Sequence, residues 1–99
     1  MTFALLFNAS DGHQAVRSGL RSLLPGSEQV RDALVYRDTV LKFEKNPLQG
    51  EVGECDLQIS AFPLLVLNEA QQRVVLNEVL GALQGLVGQV DVLAEDELR

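Results

Sequence analysis

The side chains that could carry chemistry in this sequence are few. His13 is the only histidine and stands in the first turn of a predicted helix, where its imidazole could transfer protons near neutral pH. Tyr36 and Asp38 lie two residues apart in a predicted strand, so they share one face and could line a cleft on a sheet. A solvated histidine and a packed tyrosine beside a surface ion pair are the alternative interpretations. We assign no catalytic residue.

Metal and cofactor chemistry is not supported either. One cysteine, Cys55, and one histidine argue against a Cys/His zinc site. The carboxylates of Glu51, Glu54 and Asp56 lack the alternating spacing and the glycine of a calcium-binding loop, and they disfavour a reactive Cys55 thiolate. No phosphate-binding loop, dinucleotide fingerprint or hydrolase nucleophile motif is present. We therefore predict no metal, no cofactor and, on balance, no enzyme.

Composition excludes several classes of partner. The 99 residues suffice for one domain, which we take as 1–99 with an acidic tail from about residue 94. The net charge of −6 repels nucleic acids and anionic membrane surfaces. The apolar run Phe3–Phe7 is too short for a membrane span or a signal sequence, and a single cysteine fits a reducing compartment. The expected location is cytoplasmic.

Hydrophobic periodicity predicts two helices among four strands. The segments, in chain order, are a strand at 3–7, a helix at 12–24, a long or interrupted strand at 33–45, a strand at 57–67, a helix at 69–88 and a short strand at 90–92. This order predicts an α+β fold, the two-layer ferredoxin-like βαββαβ sandwich with an antiparallel sheet and both helices on one face.

Three details of these segments are open. Gly81 and Gly85 each cost about 1 kcal/mol in a helix interior, so they either weaken the second helix or mark close approach to another backbone. Gly88 is a candidate C-cap, and Asn68 with Gln71 forms a candidate capping box. Pro63 cannot donate a ladder hydrogen bond, so we expect it at a sheet edge or a bulge.

A second fold divides the long helix. If Arg73–Leu76 were a strand, the order would match a minimal thioredoxin-like domain. The stretch Ala61–Leu67 resembles the segment of thioredoxin-like proteins in which a cis-proline, here Pro63, precedes a core strand. That family's disulfide exchange needs a cysteine at the start of the first helix, where residues 10–13 contain none. The resemblance therefore implies a redox-inactive adaptor.

Interaction with protein is the function that the sequence favours. A ferredoxin-like sheet leaves one face without helices, and we expect Val35, Phe43, Phe62 and Leu64 to place apolar side chains there. We predict a non-enzymatic interaction or assembly module that presents a sheet face, a sheet edge or a hairpin to a protein partner or to itself, with a homodimer expected.

A basic stripe adds to this prediction. His13, Arg17 and Arg21 follow each other at spacings of four on the exposed face of the first helix, where they could meet an acidic patch or simply be solvated. The predicted partner-binding residues are His13, Arg17, Arg21, Phe43 and Phe62. The alternative function is a small ligand-binding protein or enzyme of the dimeric α+β-barrel type, with His13, Tyr36 and Asp38 as its polar groups.

Overall fold

A computed structural model describes residues 3–10, 12–45, 57–65 and 68–94 of the chain. Within them lie six strands and two helices. They are β1 (Phe3–Phe7), α1 (Gly12–Leu23), β2 (Glu28–Val30), β3 (Ala33–Tyr36), β4 (Thr39–Lys45), β5 (Leu57–Pro63), α2 (Glu69–Val87) and β6 (Val90–Ala94).

The strands form one antiparallel sheet in the order β2-β3-β4-β5-β1-β6. The predicted α+β class with an antiparallel sheet is confirmed. The predicted strand at 33–45 is interrupted by a turn at Arg37 and Asp38, which separates β3 from β4. Sequence reasoning missed β2, because its three residues are exposed and show no apolar alternation.

Both helices cover the same face of the sheet. The two helices contact each other, and their buried residues join those of the strands in a single cluster. The fully buried members include Leu5, Leu41 and Ile59, and each contributes about 1.5–3 kcal/mol by leaving water. β1 is buried along its whole length, as its continuous apolar run predicts.

The long helix α2 is one continuous element. The Asn68 side chain accepts a hydrogen bond from the Gln71 amide (2.8 Å), and the Gln71 side chain accepts one from the Asn68 amide (3.0 Å), so the predicted capping box is confirmed. Gly88 ends the helix at a φ of 84° and donates to the Gln84 carbonyl at 2.9 Å. A strand at Arg73–Leu76 is therefore wrong. No described peptide bond is cis, including the bond before Pro63, which removes the thioredoxin-like alternative.

The structure decides between the two alternatives that the sequence left open for Gly81 and Gly85. A Cβ at Gly81 or Gly85 would meet nothing within 4 Å, so neither glycine marks a close backbone approach.

The expectation for Pro63 is wrong, because it ends an interior strand rather than lying at a sheet edge or bulge. The Leu64 amide donates to the Asp38 carbonyl (2.7 Å), on the β4 side of β5. Because successive amides of a strand point to opposite sides, the Pro63 nitrogen faces the β1 side. Pairing with β1 has already ended there, at Phe3 and Ala61. No ladder bond is lost there.

Candidate functional site

Two residues of the predicted basic stripe on α1, His13 and Arg17, pack against Phe43 of the sheet. His13 Nε2 donates to the Glu44 carbonyl (3.0 Å), because that oxygen can only accept. The imidazole meets the Phe43 ring edge-on with centroids 6.2 Å apart, and the Arg17 guanidinium lies 5.1 Å above the same ring. These contacts give His13 and Arg17 a packing role over Phe43.

Phe43 itself lies on the helix-covered face. It is opposite Ile59, which is opposite Leu5, and all three belong to the core. We call the face of the sheet that no described helix covers the helix-free face. The prediction that Phe43 lies on this face is wrong, because the β4 register turns its side chain toward α1. Arg17 Nε donates to the Asp32 carbonyl (2.9 Å), whereas the Arg21 side chain is exposed, so the three basic residues do not form one free stripe.

The helix-free face carries an apolar patch at one corner. Successive strand pairs place Val35 beside Val40 and Val40 beside Phe62, and they place Val30 beside Ala33 on the same face. We call these five residues the apolar corner. Phe62 is 39% exposed and Val30 is 51% exposed. The expectation that Val35 and Phe62 lie on this face is met.

The middle of the helix-free face is polar. Ser60 Oγ donates to Glu44 Oε1 at 2.7 Å, and Gln58 Nε2 donates to Ser60 Oγ at 2.7 Å and to Glu44 Oε1 at 3.3 Å. These three side chains satisfy one another, since each donor has an acceptor within the group. The apolar corner is therefore bounded on its inner side by a closed polar network.

A second group of polar side chains joins the β3–β4 turn to α2. The buried Tyr36 donates its hydroxyl proton to Glu78 Oε2 (2.5 Å), and Arg37 Nε donates to the Tyr36 oxygen (3.1 Å). The buried Glu78 Oε1 lies 3.0 Å from Arg37 Nε but accepts no well-aligned hydrogen bond from a described residue. The two side chains therefore interact as an ion pair. The contact with Tyr36, followed by the charge of Glu78, raises the pKa of Arg37.

The turn that presents Arg37 has an unusual backbone. Arg37 and Asp38 have φ values of 49° and 60°, the left-handed conformation that a two-residue hairpin turn of this kind needs. Asn-Gly is the usual sequence, because Gly has no Cβ and the short Asn side chain tolerates this conformation, whereas other side chains cost about 1–2 kcal/mol in it. Asp tolerates it better than Arg does, so the strain is concentrated at Arg37.

A cavity of about 380 Å³ opens beside this turn, against the first turns of α2. Its lining consists of Arg37, Asp38, Gln71, Val74 and Val75. The predicted cleft with Tyr36 and Asp38 is thus changed in composition: Asp38 lines the cavity, while Tyr36 holds Arg37 in place. Sequence reasoning missed Gln71 and Val74, because only the packing of α2 against the turn brings them here.

The polar groups of the dimeric-barrel alternative do not form one site. His13 packs on Phe43 under α1, and Tyr36 bonds to Glu78 of α2, so both lie on the helix-covered side. A second sheet stacked on the helix-free face would not meet them. Among the described residues no three His, Cys, Asp or Glu side chains cluster as metal ligands, and the predicted acidic group around Cys55 and the acidic tail fall outside those residues.

Comparison with protein-family models, with curated proteins and with solved structures found no match to this chain. In the described part of the chain, neither helix has the length and hydropathy that a membrane crossing requires.

Proposed function

We propose that the protein is a non-enzymatic assembly module that pairs reversibly with a second copy of itself through the apolar corner. The carrying observation is the contiguous row Val35, Val40 and Phe62 on a face that no described helix covers. Contiguous apolar side chains exposed on a sheet face offer area that a partner can bury. The cytoplasmic location belongs to the same proposal, as does the absence of a nucleic-acid partner.

Charges at the border of the corner support self-pairing. Glu28 and Val30 on β2, with Val40 and Lys42 on β4, occupy the four corners of a rectangle on this face, with Glu28 and Lys42 on one diagonal. Two copies can stack with these faces together and a twofold axis between them. If that axis runs parallel to the diagonal from Val30 to Val40, it brings Glu28 of each copy toward Lys42 of the other. Such a self-complementary arrangement is what an isologous interface requires.

The size of the patch sets the strength of the pairing. The five residues of the apolar corner extend across four strands and two rows, over about 15 Å by 7 Å. Each partner of a standard interface buries about 800 Å², so the apolar corner alone is too small for a permanent dimer. We therefore expect an equilibrium between monomer and dimer that shifts with protein concentration.

The ferredoxin-like arrangement remains part of this proposal. Its support is the chain order β1, α1, β4, β5, α2, β6, with these four strands adjacent in the sheet and the segment Glu28–Tyr36 added at the edge of β4. In this view the added strands enlarge the helix-free face and supply three of the five residues of the apolar corner.

Analytical ultracentrifugation over a range of concentrations tests the pairing. Phe62→Lys should weaken the dimer at least about tenfold, since one desolvated charge offsets the apolar contact. Leu23→Lys is the matched control, because Leu23 is 50% exposed on α1, on the opposite side of the sheet, and should leave the dimer unchanged.

Charge reversal tests the geometry. Glu28→Lys and Lys42→Glu should each weaken the dimer, and the double variant should restore it, because both intermolecular contacts are re-formed with opposite sign. Failure of the double variant to restore pairing would contradict the proposed axis. A chain that stays monomeric at millimolar concentration would overturn self-pairing and leave a different protein as the partner.

A further inference from the structure

The cavity beside the β3–β4 turn is separate from the apolar corner, because it lies between the turn and α2 on the helix-covered side. Its volume of about 380 Å³ is within the range of sites that hold small molecules. It combines opposite charges on Arg37 and Asp38 with the amide of Gln71 and the apolar side chains of Val74 and Val75. These groups offer a ligand two opposite charges, an amide and an apolar wall.

Contacts at Nε hold the Arg37 side chain in place beside the cavity. Its contacts with Tyr36 and Glu78 both use Nε, and its guanidinium lies 5.5 Å from the centre of the Tyr36 ring. The two terminal nitrogens are not used in these contacts, and the side chain is 58% exposed. A guanidinium held at Nε can still receive a carboxylate through its terminal nitrogens.

The turn fixes where both charged side chains of the cavity begin. Arg37 and Asp38 both adopt the left-handed backbone conformation, which a two-residue hairpin turn requires. Here the strained pair supplies both charges of the cavity.

We infer that this cavity binds a free α-amino acid with an apolar side chain. The carboxylate would meet Arg37, the ammonium Asp38, and the side chain Val74 and Val75. A simple anion is disfavoured by Asp38, by Glu78 at 3.0 Å from Arg37 Nε and by the net charge of −6, so an anionic group is best received together with an ammonium. Because the two charged residues are consecutive, they suit an ammonium and a carboxylate bonded to the same carbon better than the distant termini of a peptide.

Nuclear magnetic resonance on the ¹⁵N-labelled full chain tests this inference with L-leucine as the probe. We expect saturable shifts of the amides of Asp38, Gln71 and Val74. N-acetyl-L-leucine lacks the ammonium and L-leucinamide lacks the carboxylate, so each should bind at least about tenfold more weakly, the loss of one charged contact.

Variants separate recognition from folding. Asp38→Asn keeps the size of the side chain and tolerates the left-handed backbone, so the fold should persist while leucine binding weakens about tenfold. Arg31→Gln, at a φ of 57° in the β2–β3 turn, is the control and should bind leucine like the parent chain. The inference would be overturned by an absence of saturable shifts, by binding of either blocked compound as tightly as leucine, or by unchanged leucine binding in Asp38→Asn. Pairing through the apolar corner is measured separately and should not change in Asp38→Asn.

Discussion

Two phenylalanines, both predicted from sequence to bind a partner, should behave in opposite ways when replaced by alanine. Phe43 is 9% exposed and packs in the core beneath His13 and Arg17. Phe43→Ala removes the transfer free energy of the ring and leaves a cavity, so the free energy of unfolding should fall by about 3–5 kcal/mol. Such a loss is a large part of the stability of a small domain.

Phe62→Ala should cost much less stability. Phe62 is 39% exposed on the helix-free face, so its ring has given up only part of its contact with water, and no closed cavity can form there. We expect a loss of about 1–2 kcal/mol from the buried part of the ring. The same variant should weaken pairing, whereas Phe43→Ala acts on pairing only through unfolding.

Urea denaturation followed by circular dichroism at low protein concentration measures both losses without a contribution from the dimer. The difference between the two variants should be at least about 1 kcal/mol, or about 4–8 °C in Tm for a domain of this size. Equal losses for Phe43→Ala and Phe62→Ala would refute the assignment of the two residues to opposite faces of the sheet. Comparable m-values would confirm that both variants unfold from the same native state.

Three further expectations concern stability, each read from thermal or urea unfolding. Gly81→Ala should stabilise the chain by up to about 1 kcal/mol because its methyl group meets nothing within 4 Å, whereas Gly19→Ala, with α2 side-chain atoms 2.8 Å from the new Cβ, should gain less; a reversed order would contradict the packing. Asn68→Ala should cost about 1 kcal/mol through loss of the helix cap, and an unchanged midpoint would argue against that cap. A double-mutant cycle of Tyr36→Phe and Glu78→Leu should give a coupling of about 1–2 kcal/mol, because neither replacement keeps its half of the hydrogen bond, and a coupling near zero would contradict that bond.

Local signals in the sequence were sufficient for the helices and most strands. The capping box at Asn68 and the terminal Gly88 fix α2 because both act within a few residues. The turn between β3 and β4 was less visible, since Arg37-Asp38 contains neither Gly nor Asn. Arg37 at this turn pairs with Glu78, which is 41 positions further along the chain, and no local rule includes such a partner.

The candidate sites depended more strongly on tertiary structure. A spacing of four shows that His13, Arg17 and Arg21 share a side of α1, but it does not show that an aromatic ring on β4 lies beneath two of them. Long basic side chains commonly cover apolar surface in this way while keeping their charge near water. The face of Phe43 could be settled only by the register of β4 against β5.

The alternation of the strands explains why stability and association can be changed separately in this chain. Leu41 is buried under the helices, while its neighbour Val40 faces the opposite side, and Ala61 and Phe62 repeat this relation on β5. A substitution at one residue of such a pair acts on the core, and a substitution at the next acts on the apolar corner. The β3–β4 turn connects β4 to its other neighbour, β3, so its backbone also fixes the register between β3 and β4, on which both faces depend. Relaxing the turn by Arg37→Asn and Asp38→Gly should therefore preserve both faces while removing the charges of the cavity.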